Sequence, residues 1–176
     1  MKHFYKEIGD FDFKNIYKSA VKRANPGARF IEIGTGKGES AAYMAVEIAN
    51  SGKDIEFFTV DTSKGKNEEF IKKYLDVLGE NDVLSKFAYV MNCDAIEFLN
   101  VFAPDSTDFI MLKDIFDPAV LWDTLVSSWE LLKFGAIVAG NNYSNKFPDV
   151  KSTIYKFTSL DYPAGICNKT NFYIIR

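Results

Sequence analysis

Apolar residues recur along this chain with two alternating periods. Phe13, Ile16, Tyr17, Ala20, Val21 and Ala24 fall at helical spacing and predict an amphipathic helix over 12–25, which Asn25-Pro26-Gly27 stops. The short apolar run over 29–33 ends in glycines and predicts a buried strand. A helix rich in Ala and Met follows over 39–50, with Gly52 as its C-terminal stop. The alternation then repeats, with a strand over 55–61, a helix over 67–79 ending at Gly79, and a third strand over 87–91. Asp94 is placed to cap a helix over 95–102, and 108–112 reads as a fourth strand. Asp117-Pro118 opens a long helix reaching about residue 132, with Asp as N-cap and Pro at the first helical position. A fifth strand over 135–139 and a helix over 148–159 follow. Two short apolar runs, 164–167 and 172–175, flank Asn168-Lys169-Thr170-Asn171 and predict a terminal hairpin within 164–176.

Strands alternating with helices imply an α/β fold with a mostly parallel sheet covered on both faces, and the hairpin adds an antiparallel strand at one side. No repeat or linker divides residues 1–176, so a single domain is expected. Ligands in such open sheets bind at the carboxyl ends of the strands. The expected sites therefore lie just after residues 33, 61, 92, 112 and 139.

Composition narrows the function classes. With 47% hydrophobic and 26% charged residues the chain reads as an ordinary globular protein, and its net charge of −3 argues against a nucleic-acid partner held by phosphate neutralisation. Cys93 and Cys167 lie far apart in apolar, strand-like surroundings and read as free thiols in a reducing compartment. The first seven residues lack the apolar core of a signal peptide and no apolar stretch reaches membrane-spanning length, so no membrane partner and a cytoplasmic location are expected. The single histidine, His3, is assigned no role. Trp122 and Trp129 share one helix face and predict core packing or a contact with a second copy of the chain, as in a homodimer.

The strongest chemical signal is Glu32-Ile33-Gly34-Thr35-Gly36-Lys37-Gly38, which leaves a strand and enters a helix. Glycines there let backbone approach a ligand closely, and the following helix points amide donors at it. The dinucleotide pattern fails because Glu39 stands where a third glycine belongs, and no P-loop Gly-Lys-Ser/Thr follows. An acid before the glycines repels a pyrophosphate but suits the cationic methionine end of S-adenosylmethionine (SAM). Asp61 ends the second strand, 23 positions beyond Gly38, where a carboxylate can accept both ribose hydroxyls. Asp94 stands where an adenine edge would lie, and also where a helix cap is needed.

These stations, with Val60-Asp61-Thr62, Asn92-Cys93-Asp94-Ala95, Asp108-Phe109-Ile110 and the run over 131–140, resemble class I SAM-dependent methyltransferases. The likeness is to the small single-domain branch related to catechol-type and sugar O-methyltransferases, including phage-encoded forms. It implies a Rossmann-like, doubly wound seven-stranded sheet of order 3-2-1-4-5-7-6 with the last strand antiparallel. It also implies SAM as cofactor, held by Glu32, Gly34, Gly36, Asp61 and Asp94, with Thr35, Gly38, Thr62 and Ala95 in the same stations.

The departures from that pattern bear on catalysis. Metal-dependent relatives carry an acid after the fourth strand and an Asp-Asp or Asp-Asn pair after the fifth. Here Lys113 and Asn141-Asn142 stand in those places, a poor set for a hard cation, so no metal is expected. Lys113 could instead supply a cation that holds an anionic acceptor oxygen, and Asp114 a carboxylate if the loop shifts register. Tyr143 is a further titratable group nearby. The polar stretch 64–69 could close over the ribose site. Methyl transfer to a small-molecule acceptor is the leading reading, and a relative that binds SAM or S-adenosylhomocysteine (SAH) without turnover is the alternative.

Overall fold

The computed structural model describes residues 11–36, 38–61, 88–159, 164–167 and 170–176. The predicted helix over 67–79, the polar stretch 64–69, Thr62, His3 and the hairpin tip at 168–169 lie outside the described residues. In chain order the elements are α1 (Lys14–Arg23), β1 (Ala28–Ile33), α2 (Glu39–Ser51), β2 (Ile55–Asp61), β3 (Tyr89–Asn92) and α3 (Ala95–Leu99), then β4 (Thr107–Leu112), α4 (Pro118–Leu131), β5 (Leu132–Gly140), α5 (Pro148–Thr158), β6 (Ala164–Cys167) and β7 (Asn171–Ile175). The described strands form one seven-stranded sheet of order β3-β2-β1-β4-β5-β7-β6. β7 runs antiparallel to both of its neighbours, while β1 to β5 pair in parallel. This is the α/β, Rossmann-like arrangement expected from the sequence.

Strand periodicity sorts the side chains into two cores. Phe30 of β1, Phe57 of β2 and Phe109 and Met111 of β4 face α1 and α2, where they meet Tyr17, Tyr43 and Met44. Ile31 and Ile33, Val60, Ile110 and Leu112 face the other way, against Leu121 and Leu125 of α4 and Ile154 and Phe157 of α5. Trp122 and Trp129, both half-buried, pack their rings on Phe157 at 5.7 and 5.8 Å, so they join α4 to α5 at the edge of this core. The same parity decides where polar residues at the strand tips point. Glu32, Thr59 and Lys113 continue the α1/α2 face.

Three predicted boundaries shift. β3 is described from Tyr89 rather than Phe87. α3 stops at Leu99 because the amides of Val101 and Phe102 fold back to Phe98 and Leu99 three residues earlier, ahead of Pro104. β5 begins at Leu132, three residues before its predicted start. Leu132 pairs with Thr107, but Ile137 pairs with Phe109, so β5 bulges between them. Gly135, at φ +80°, makes that bend, which leaves Phe134 97% exposed.

Two ties close the ends of the layers. Lys53 Nζ donates to the carbonyls of Val21, Lys22 and Ala24, each at 2.8 Å, and places a cation on the carboxyl end of α1. Gly140 lies so close to the Phe172 ring that a Cβ there would collide with it, which locks β7 against β5.

Candidate functional site

The carboxyl ends of β1, β2 and β4 open onto a cleft of about 340 Å³ lined by Ile33, Gly34, Gly36, Asp61, Ala95, residues 113–117, Val120 and Thr124. A wider cleft of about 510 Å³ lies on the α1 side, lined by residues 11–13, Gly36, Glu39, Ser40, Lys113, Asp114 and Asn141. Gly36, Lys113 and Asp114 belong to both, so the two clefts meet at the tips of β1 and β4.

The glycine loop is shaped by its neighbour strand. The Lys113 amide donates to the Ile33 carbonyl at 2.8 Å, which brings the β4 tip over the loop. A Cβ on Gly34, at φ +95°, would collide with the Lys113 carbonyl oxygen. Glycine is needed here for close packing of backbone on backbone. Gly38, at φ +79°, is the N-cap position of α2.

Glu32 departs from its expected role. Its carboxylate is fully buried and does not line either cleft. Oε2 accepts from the Tyr17 hydroxyl and from Ser40 Oγ (2.8 Å), and Oε1 accepts from Thr59 Oγ1 at 2.8 Å. The Thr59 hydroxyl already donates to Glu32, so Thr35 is the donor in the 2.6 Å bond between the two threonine hydroxyls. A buried carboxylate must be matched in this way or it destabilises the fold. The cause of the arrangement is strand parity. Glu32 pairs in register with Thr59 and faces α1 and α2, which supply Tyr17 and Ser40. Glu32 thus lies beneath the loop and ties it to α1, α2 and β2.

Tyr17 carries the electrostatic signature of this cluster. Burial above all, then the Glu32 charge and the hydrogen bond to it, push its phenol well above the ordinary value. The unfolded chain ionises this phenol near pH 10, whereas the folded one keeps its proton to higher pH. Its contribution to stability is therefore complete below about pH 10 and falls as pH rises further. Tyr17→Phe is expected to flatten that alkaline slope by up to about 1.4 kcal/mol per pH unit, read as urea midpoints between pH 8 and 11. Parallel slopes in the two proteins would contradict the assignment.

Lys113, half-buried, extends from the β4 tip towards the same cluster. Its Nζ donates to the Thr35 carbonyl and to Ser40 Oγ, both at 3.0 Å. Asp114 adopts φ +56° and turns to the other side. Its Oδ1 accepts from the side-chain amides of Asn141 at 2.9 Å and Asn142 at 3.0 Å, while its own amide donates to Asn141 Oδ1 at 3.0 Å. The strand register runs unbroken from Phe109 to Leu112, and beyond it this closed cluster occupies the tips of β4 and β5. Among the described residues no group of three or more His, Cys, Asp or Glu stands together as a metal centre.

The other predicted residues are placed as follows. Asp61 is buried at the tip of β2 and Ala95 lies at the start of α3, both on the narrower cleft. Asp94 caps α3, accepting from the amides of Ile96 and Glu97 at 2.9 and 3.1 Å. Thr35 is buried, with its hydroxyl on Thr59. Tyr143 lines neither cleft: its half-buried ring packs against the second core, 6.3 Å from that of Phe172. Cys93 is a free thiol whose pKa is raised by burial first, then by Glu97 and Asp94. Sequence reasoning missed Tyr17, Ser40 and Thr59. The available signal was a polar residue at an inward strand position, Thr59, directly across from Glu32.

No family model and no curated protein matches this chain. Solved structures do. A protein from Staphylococcus aureus described as a caffeoyl-CoA O-methyltransferase aligns over 97% of this chain and 86% of its own, at 16% identity and a TM-score of 0.71. SMU.1697c of Streptococcus mutans, described as a methyltransferase and solved with SAH, aligns over 95% of this chain and 98% of its own, at 13% identity and a TM-score of 0.70. TomG, an O-methyltransferase of tomaymycin synthesis from Streptomyces achromogenes solved with SAM, aligns over 92% and 78%, at 18% identity and a TM-score of 0.64. Among the described residues no helix is long and apolar enough to cross a membrane. The chain therefore has the fold of the class I SAM-dependent methyltransferases.

Proposed function

We propose that this protein binds SAM and transfers its methyl group to a small-molecule acceptor without a metal ion. One observation carries the reading. Gly34, Gly36, the Asp61 carboxylate and Ala95 converge on a single cleft at the strand tips, in a fold whose solved examples include SAM and SAH complexes. The residues present fit that cofactor. Asp61 offers a carboxylate for ribose hydroxyls, and Ile33, Ala95, Ile115 and Val120 offer apolar wall for a flat base. When bound, SAM supplies a methyl group already activated by a positively charged sulfur, so the protein has mainly to align the acceptor.

The wider cleft is the place for that acceptor, because it meets the narrower one at Gly36, Lys113 and Asp114. Asp114 Oδ2 makes no hydrogen bond with the described residues, while Oδ1 is fixed by two amides. This carboxylate is thus oriented to accept a proton from an acceptor hydroxyl. Binding of SAM or SAH without turnover is the second reading, favoured by Tyr143 lining neither cleft.

Calorimetric titration with SAH tests the cofactor assignment, and micromolar affinity is expected. No heat at millimolar ligand would remove it. Transfer of labelled methyl from SAM to a panel of small phenols and alcohols then separates the two readings. Turnover is expected to persist in EDTA, and its loss there would remove the metal-free assignment.

A further inference from the structure

We propose that Lys113 is the carboxylate-binding cation of the cofactor cleft, so that the site selects an adenosyl ligand by its amino-acid carboxylate. The proposal rests on the SAM reading above and concerns the residue that stands where metal-binding relatives carry an acid.

Four observations support it. First, the ammonium is placed by the fold. Strand parity aims Lys113 from β4 at α2, and Nζ lies 3.3 Å from the point where a Cβ on Gly36 would stand. The charge therefore lies directly against the glycine loop, where the two clefts meet. Second, among the described residues no carboxylate lies within ion-pairing distance of Lys113; its two partners, the Thr35 carbonyl and Ser40 Oγ, are neutral oxygens. An ammonium has three donors, so one remains for a ligand.

Third, the hydroxyls of the loop are turned away. Ser40 donates to Glu32 and accepts from Lys113; Thr35 donates to Thr59, which donates to Glu32. Neither hydroxyl has a proton left for an anion. Fourth, the carboxylates sharing these clefts, Asp12, Glu39, Asp61, Asp114 and Asp117, repel an anion. Among the described residues that line either cleft Lys113 is the cationic side chain, so it decides whether a carboxylate is accepted. Glu32 acts behind it as a positioning residue, through Ser40.

The test compares SAH with its decarboxylated analogue, S-adenosyl-3-thiopropylamine, by calorimetry on the full chain. Wild type is expected to prefer SAH by about 10- to 100-fold, the range of a charge-assisted hydrogen bond, and the preference should shrink with added salt. Lys113→Gln keeps hydrogen-bond donors without the charge, and Lys113→Met keeps only the length. Both should reduce the preference to about fivefold or less, with unchanged circular dichroism. Equal binding of the two ligands by wild type overturns the proposal without reference to any variant. So does a variant that weakens both ligands by the same factor. If wild type binds neither ligand, the cofactor assignment itself falls. Binding of both without discrimination removes only the role of Lys113.

Discussion

Asp61→Ala is expected to weaken SAH binding by about 100-fold or more while the protein stays folded. A carboxylate that accepts two hydroxyls makes two charge-assisted hydrogen bonds, each worth about 1.5–3 kcal/mol, and alanine removes both. The location makes the effect specific. Asp61 is the last residue of β2, is 9% exposed, and borders the narrower cleft rather than either core. Its strand is already fixed by pairing with β1 and β3 on either side. Asp61→Asn should fall between, since an amide oxygen accepts hydrogen bonds without a full charge. Calorimetry gives the answer directly, and an affinity for SAH within threefold of wild type would withdraw the ribose role.

Glu32→Ala is expected to lower stability by about 4 kcal/mol, and the melting temperature by roughly 10–15 °C. The change leaves Tyr17, Ser40 and Thr59 with buried hydroxyls and no acceptor, and opens a cavity between β1, α1 and α2. It also frees Ser40 and, through it, the Lys113 ammonium. Glu32→Gln fills the volume and keeps one oxygen acceptor, so its loss should be clearly smaller. Thermal and urea unfolding of both variants measures the difference. A Glu32→Ala protein as stable as wild type would show that the hydroxyls do not depend on the carboxylate. For a ligand-facing glutamate the opposite pattern holds, with affinity lost and stability kept.

That contrast marks what a reading of the chain alone reaches. Alternation of apolar runs was enough for the sheet, because β1, β2 and β4 are buried along most of their length and α1, α4 and α5 each carry an apolar face. Gly34, Asp61 and Ala95 were legible since they sit at fixed offsets from strand ends. Glu32 was legible as the acid before the glycines, but its three hydroxyl partners were not. Its partners come from α1, β2 and α2, 15 residues before it and 27 and 8 residues after it, and no local pattern reveals that they converge. Asp114 was legible only as an alternative, because its role depends on a left-handed backbone that ordinary residues seldom adopt. The start of β5 was hidden by the bulge at Gly135, which interrupts the period the eye follows. Tyr143 lay close to the site in sequence, and the packing of Phe172 drew its ring elsewhere.

The placing of β7 between β5 and β6 has a consequence for synthesis. β6 touches the rest of the sheet only by way of β7, although β6 is made first. A nascent chain that has released β6 from the ribosome still has nowhere to put it, and β5 keeps a bare flank of amides and carbonyls. Both gaps close in one event, when β7 arrives and Phe172 seats against Gly140. A ribosome that stalls before residue 171 therefore releases a sheet short of two strands, with an open rim inviting other chains.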